Sequence, residues 1–374
     1  MLPCLAGRVL PLSLLLIPVV FAFAPMASVA ADTYRVAATL PTGIGPGSLW
    51  LAPDGRRVVV ANSDSDDLTV FSWPALEPLA TIPVGRVPVA MAFDGAGAAL
   101  VACFRDSTVV RVDLDRGEAV GRVAVPKGPR DIVMVDGKAL VGTYYAGTVE
   151  VLDPSGPTTR TSIGLTVGVS RIVPVPGQPR ALALNTSCDR VHVIDTDLEV
   201  ALADIVEKIG IGLWEPALEP GGKHLLVSGW ISNTVALVNT NDLFGETLIP
   251  TDGKGACQVA VAPDGLRAYV SHSESNSVAA IDLVNWRQVG LVNVGRFPFS
   301  DLAVSPDGAS VLVTNDKDGT VSVIEAASMT VVQTIEVGSI PRHILFAGDR
   351  ALVTCAMSNH LAVLERIASP GRRR

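Results

Sequence analysis

A short turn recurs along this chain at an almost constant interval. Pro53-Asp54-Gly55, Pro263-Asp264-Gly265 and Pro306-Asp307-Gly308 each sit between two apolar runs. Looser versions are Asp94-Gly95, Asp136-Gly137, Pro176-Gly177, Pro220-Gly221 and Gly348-Asp349. Counted at residues 54, 94, 136, 177, 221, 264, 307 and 349, the steps are 40, 42, 41, 44, 43, 43 and 42 residues. A period that steady marks a repeat protein, in which each unit buries its apolar faces only against its neighbours.

The units share one internal order, clearest in the seventh. Leu302-Ala303-Val304 reads as a strand, and Pro306-Asp307-Gly308 turns the chain. Ser310 to Asn315 is a second strand, Asp316-Lys317-Asp318-Gly319 a hairpin turn, Thr320 to Ile324 a third strand and Thr330 to Ile335 a fourth. The composition agrees: 34 Gly and 26 Pro punctuate a chain with only 5% aromatic and 18% charged residues, which suits many short apolar strands. Four strands in about 42 residues is the size of one propeller blade. The sequence therefore predicts an all-β fold, a β-propeller of eight four-stranded blades in a single domain over residues 32–366. Seven blades is the alternative, should one weak unit be absorbed. Tyr34 to Leu40 reads as a fourth strand with no unit before it, and the eighth unit stops after Leu361-Ala362-Val363-Leu364. The N-terminal strand is thus expected to complete the last blade, which removes the open sheet edges that invite aggregation.

Val311-Leu312-Val313-Thr314-Asn315, followed by Thr320 to Ile324 and Val337-Gly338, resembles the YVTN repeat of exported bacterial and archaeal propellers. Ala268-Tyr269-Val270-Ser271-His272 with Ser277 to Asp282, and Val58 to Asn62 with Leu68-Thr69-Val70, resemble it too. The resemblance spans nearly all of the chain after the leader and is weakest in units three to five. It implies the fold and leaves function open, since such propellers serve many roles and those of the wider fold include surface-layer modules, partners of quinone or haem redox proteins and lactone hydrolases.

Residues 1–31 read as a signal peptide. Arg8 is their only charge, an apolar run follows from Val9 to Met26, and Ser28-Val29-Ala30 supplies small residues for cleavage after Ala30 or Ala31. Pro11, Pro18 and Pro25 weigh against the alternative of an uncleaved anchor. A periplasmic or secreted protein is expected, with no membrane span after cleavage. Loss of Arg8 takes the net charge from −8 to −9. That balance, at a pI near 5.2, makes the chain a poor candidate for a nucleic-acid partner, which requires a basic surface. Residues 367–374, ending in Arg372-Arg373-Arg374, read as a basic tail. Cys103, Cys188, Cys257 and Cys355 fall in blades too far apart for disulfide geometry, so four free thiols are expected.

Loops from the fourth strand to the next first strand, and from the second to the third, share one face of the disc, where function is expected. The between-blade segments carry Arg86, Lys127, Arg130, Arg171, Lys254, Arg296 and Arg342, a set of bases able to attract an anion. Asp131, Glu215, Gln258, Asp301 and His343 stand near the inner strands and can offset them. The candidate ligand-binding residues are Arg86, Arg130, Arg171, Glu215, His272, Arg296, Asp301, Arg342 and His343. Three readings follow. The first is a ligand- or protein-binding scaffold without catalysis, its partner another protein or a small anionic molecule. The second is a metal-dependent lactonase-like hydrolase with an ion among Glu215, Asp301 and Asn185 or Asn315. The third is an accessory to a redox enzyme, holding haem or quinone through His343 or His272. The sequence assigns no cofactor and contains no metal-ligand spacing, Gly-x-Ser-x-Gly elbow or His-Glu-x-x-His motif.

Overall fold

The computed structural model describes residues 32–367 apart from Ala96 and Pro157. The expected leader lies outside these residues, as does the expected tail save for Ile367. The described chain forms eight separate four-stranded antiparallel sheets, one for each turn counted in the sequence. In seven of them the strands lie in chain order. In blade 7 these are Leu302–Val304, Ser310–Asn315, Thr320–Glu325 and Thr330–Glu336. Blade 8 is built from Pro341–Ala347, Arg350–Cys355 and His360–Ile367, with Thr33–Pro41 as its outermost strand. That strand pairs from Thr33 opposite Ile367 to Pro41 opposite His360. The ring is thus closed by sheet hydrogen bonds between the first and the last of the described strands.

The apolar runs of the second and third strands follow from where the sheets sit. Each sheet is sandwiched between two others, so both faces of its middle strands are buried and the usual alternation disappears. Val58 and Val60 pack towards blade 8 with Leu352 and Val363, while Val59 and Ala61 pack towards blade 2 with Met91 and Val101. The core is accordingly a ring of eight apolar clusters, each shared by two neighbouring blades. Fourth strands form the rim and alternate between exposed and half-buried or buried positions, as in Thr330–Glu336.

One backbone device repeats where each blade hands over to the next. A residue with positive φ stands immediately before the first strand in seven blades (Gly45, Val87, Gly128, Gly168, Gly212, Gly255 and Ile340) and five positions before it in blade 7 (Phe297). Its carbonyl accepts the first N–H after the second strand of its own blade, for instance Phe104 N–H to Val87 and Asp316 N–H to Phe297. In five blades its N–H donates to an Asp or Asn side chain on the preceding blade's hairpin, as Phe297 does to Asn276 at 2.8 Å and Val87 to Asp66 at 2.9 Å. Glycine takes this conformation freely, whereas an L side chain there costs roughly 1–2 kcal/mol. Val87, Phe297 and Ile340 are therefore held against their own preference.

Candidate functional site

The first strands line the axis of the ring. The residue just ahead of the first core position in each strand faces a central cavity of about 620 Å³. Read round the ring these are Ser48, Ala90, Asp131, Arg171, Glu215, Gln258, Asp301 and His343. One residue earlier, at the end where the between-blade loops arrive, stand Arg130, Trp214, Ser300 and Arg342, with Phe299 and Thr186 from the loops. Further in, Trp50, Met91 and Val133 supply apolar wall. The cavity is thus polar in its neck and partly aromatic at its sides, within the volume typical of small-molecule sites.

Three cations and three carboxylates face this space, yet they do not simply cancel. Arg171 Nε donates to Glu215 Oε1 at 3.0 Å, and the Glu215 charge raises the Arg171 pKa. Asp131 is committed to backbone: Oδ1 accepts from its neighbour Ile132 at 3.0 Å and Oδ2 from Ile172 of the next blade at 2.7 Å. Asp301 does the same four blades away, accepting from Leu302 at 2.8 Å and Ile344 at 2.7 Å. These two carboxylates staple consecutive inner strands, and burial pushes both of their pKa values up. Arg130 and Arg342 remain. Neither forms an ion pair among the described residues. Arg342 Nη1 reaches only Ser300 Oγ, at 3.4 Å. Arg130 lies 5.6 Å over the Tyr144 ring, and its buried Nε has no hydrogen-bond partner. Burial, then the nearby Arg171 charge, lowers its pKa. An arginine stays charged under such conditions, so Arg130 is the group here that gains most from an incoming anion.

His343 fixes its own proton. Leu49 N–H donates to His343 Nδ1 at 3.1 Å, which leaves the ring proton on Nε2, 3.7 Å from Asp301 Oδ2. A nitrogen carrying a proton cannot ligate a metal, so a haem iron at Nε2 would require this bond to break.

Of the residues singled out in the sequence, the structure brings Arg130, Arg171, Glu215, Asp301, Arg342 and His343 into one cavity. Arg86 and Arg296 do not join them. They sit on the exposed loop face, and each pairs with an aspartate of its own blade's hairpin, Arg86 with Asp106 at 2.5 Å and Arg296 with Asp318 at 2.6 Å. His272 is not in the cavity either. It is fully buried inside blade 6, its Nε2 2.9 Å from Thr251 Oγ1. Thr251 gives its hydroxyl proton to the Asn233 carbonyl at 2.8 Å, so His272 Nε2 is the donor. Asn185 and Asn315 hold the matching position in blades 4 and 7. Asn315 Nδ2 donates to Thr320 and Ser322, and Asn185 Nδ2 to Thr166 and Val167. Glu215, Asp301 and these asparagines therefore do not converge on one point. No cluster of three or more His, Cys, Asp or Glu side chains suited to a metal occurs among the described residues. The four cysteines among the described residues, Cys103, Cys188, Cys257 and Cys355, are all free. Sequence reading missed the walls: Trp50, Trp214 and Phe299. With aromatics so scarce, their place within or just ahead of first strands was the available signal.

No family model matches the chain, and no curated protein matches it. Solved structures do. Hydrazine synthase of Kuenenia stuttgartiensis superposes with a TM-score of 0.61 at 20% identity, covering 77% of this chain and 96% of that one. BamB from Moraxella catarrhalis gives 0.71 at 13% identity, covering 89% and 100%. The dihydro-haem d1 dehydrogenase NirN, in complex with DHE, gives 0.69 at 16% identity, covering 92% and 79%. No helix among the described residues is long and apolar enough to cross a membrane. At these identities the likeness establishes what the eight sheets already display: the chain has the β-propeller fold that these proteins of different function share.

Proposed function

We propose that this chain is an exported propeller of the YVTN-repeat kind that binds rather than catalyses, taking a small anionic molecule into its central cavity and offering the surrounding loop face to a protein partner. The single observation that carries the reading is Arg130, a cation in a cavity of about 620 Å³ with no hydrogen-bond acceptor on its buried Nε. A charged group left short of acceptors in a partly desolvated space favours an anion strongly. Arg342 supplies a second guanidinium at the same mouth. Trp214 and Phe299, whose rings lie 5.0 Å apart, give a flat apolar body somewhere to rest. Export to the periplasm or beyond is supported by the composition of residues 1–31.

The test is calorimetry of the purified protein against phosphate, citrate and a set of aromatic carboxylates, with native mass spectrometry to catch co-purifying ligands. At least one anion is expected to bind, and Arg130→Met is expected to weaken it tenfold or more, about 1.4 kcal/mol. Absence of binding across the set, or an Arg130→Met variant that binds as well as the parent, would sink the proposal.

A further inference from the structure

A second concave surface adjoins the cavity. It is a groove of about 740 Å³ on the loop face between blades 7 and 8, and it meets the central space at Phe299 and Arg342, which line both. Its apolar side is made by Phe297, Ile340 and Met357. Phe297 and Ile340 are two of the three residues that hold a positive φ where five blades use glycine. On two consecutive blades a bulky side chain is held in that conformation at a cost, and both face the same groove. Met357, on the neighbouring hairpin, is 68% exposed.

The polar side is complementary to a peptide. Arg342 has no acidic partner within ion-pair reach among the described residues, and Lys317 Nζ lies 4.9 Å over the Phe297 ring. Asp316 is only 8% exposed, and its Oδ1 lacks a donor while Oδ2 takes the Ser300 hydroxyl. Rotation of an aspartate about χ2 is soft, so that oxygen can turn to an incoming N–H. A ligand with only a carboxylate would leave Asp316 unsatisfied. A fatty chain would leave both polar groups bare. An extended peptide brings a backbone N–H, an apolar side chain and, two residues on, a second side chain on the same side about 7 Å away.

We infer that this groove docks an extended segment of a protein partner, with an apolar side chain against Phe297, Ile340 and Met357 and an acidic side chain on Arg342. The inference rests on the binding reading above and names the partner that the loop face would take.

A displayed library of random heptapeptides, selected on the purified protein, supplies the probe. Enriched peptides are expected to pair an apolar residue with an acidic one two positions on. Resynthesised, they are expected to lose at least tenfold affinity in Ile340→Gly, Phe297→Gly and Arg342→Met. The two glycine variants relieve the positive φ, so they are expected to melt no lower than the parent, which separates lost contact from lost fold. Met357→Ser repeats the loss without touching either loop. Ile340→Gly is also expected to keep whatever small-anion binding Arg130→Met removes, so failure of one site is distinguishable from failure of the other. The assignment is overturned if no peptide is enriched, or if enriched peptides bind the glycine variants as well as the parent. It is equally overturned if the parent is a dimer that these substitutions dissociate, for then the occupant is a second copy of this chain.

Discussion

His272 occupies the position that Asn62, Asn185 and Asn315 hold in their own blades, at the end of the second strand beneath the between-blade loop. An asparagine there spends its amide on hairpin hydroxyls or loop carbonyls, as Asn62 does on Thr69 at 2.9 Å. A histidine can donate once in its neutral form. Its Nδ1 is left without a partner, and burial depresses its pKa from 6.5 to about 4. The unfolded chain therefore takes up a proton below pH 6.5 that the folded chain refuses until about pH 4. Stability from this residue is complete above pH 6.5 and falls as the pH drops through that window. His272→Asn is expected to flatten the acid side of a melting-temperature profile, recovering on the order of 2–3 kcal/mol at pH 4 relative to the parent. Parallel profiles for the two proteins would show that His272 is not the group responsible. At this scale the sequence was partly readable. Residues beside the first strands, such as Arg130 and His343, were located by the repeat register alone. Arg86 and His272 were misplaced because the register says which loop or strand end a residue occupies and not whether a local partner captures its side chain. The repeat tells where the backbone goes; Asp106 and Thr251 decide where the side chains end.

The elements were more legible than the residues, because period and turn chemistry both act over a few neighbouring positions. Every strand expected in the seventh unit appears, each within one residue of its expected limits. What the pattern could not display is the irregularity. In all eight sheets the outermost pair slips register once, as between Val323 and Ile324 in blade 7 and between Val36 and Ala38 in blade 8. Such bulges increase local twist, and they need no distinctive residue to announce them. The closing strand shares the feature, which makes it a full member of its sheet. It is also tied to the preceding blade. Gln333 accepts from Tyr34 N–H at 2.8 Å and donates to the Tyr34 carbonyl at 2.7 Å, while the Tyr34 side chain is buried in the cluster between blades 7 and 8. Gln333→Ala removes both bonds and is expected to cost about 1–2 kcal/mol. Loosening should appear first in hydrogen exchange of residues 33–41, ahead of the other blades. Uniformly faster exchange round the ring would mean that the N-terminal strand is no more weakly held than the rest.

Across the whole molecule, stability is distributed as eight nearly equivalent interfaces, and a linear chain closing such a ring must be interrupted once, either within a blade or between two blades. Ending the chain within a blade places that break inside a sheet. Backbone hydrogen bonds between Thr33–Pro41 and His360–Ile367 then hold the ends together. Ending it between blades would leave the break to apolar packing and the loop-face hydrogen bonds alone. Because Thr33 lies opposite Ile367, a short Gly/Ser linker can join the ends and allow new ones to be opened elsewhere. One permutant opens in the turn between Asp67–Ser72 and Pro78–Pro83, so blade 1 is closed by strands from both ends. The other opens between Pro83 and Pro88, so the ends fall between blades 1 and 2. Both preserve the eight apolar clusters, and the composition differs by nothing. The first is expected to melt within a few degrees of the parent. The second is expected to melt several degrees lower and to aggregate on heating, since blade 1 can then peel from blade 2 without breaking a sheet and exposes the cluster containing Val59, Met91 and Val101. Equal melting of the two permutants would show that inter-blade packing alone suffices to hold the ring. The pairing of Thr33–Pro41 with His360–Ile367 would then add nothing to stability beyond that packing.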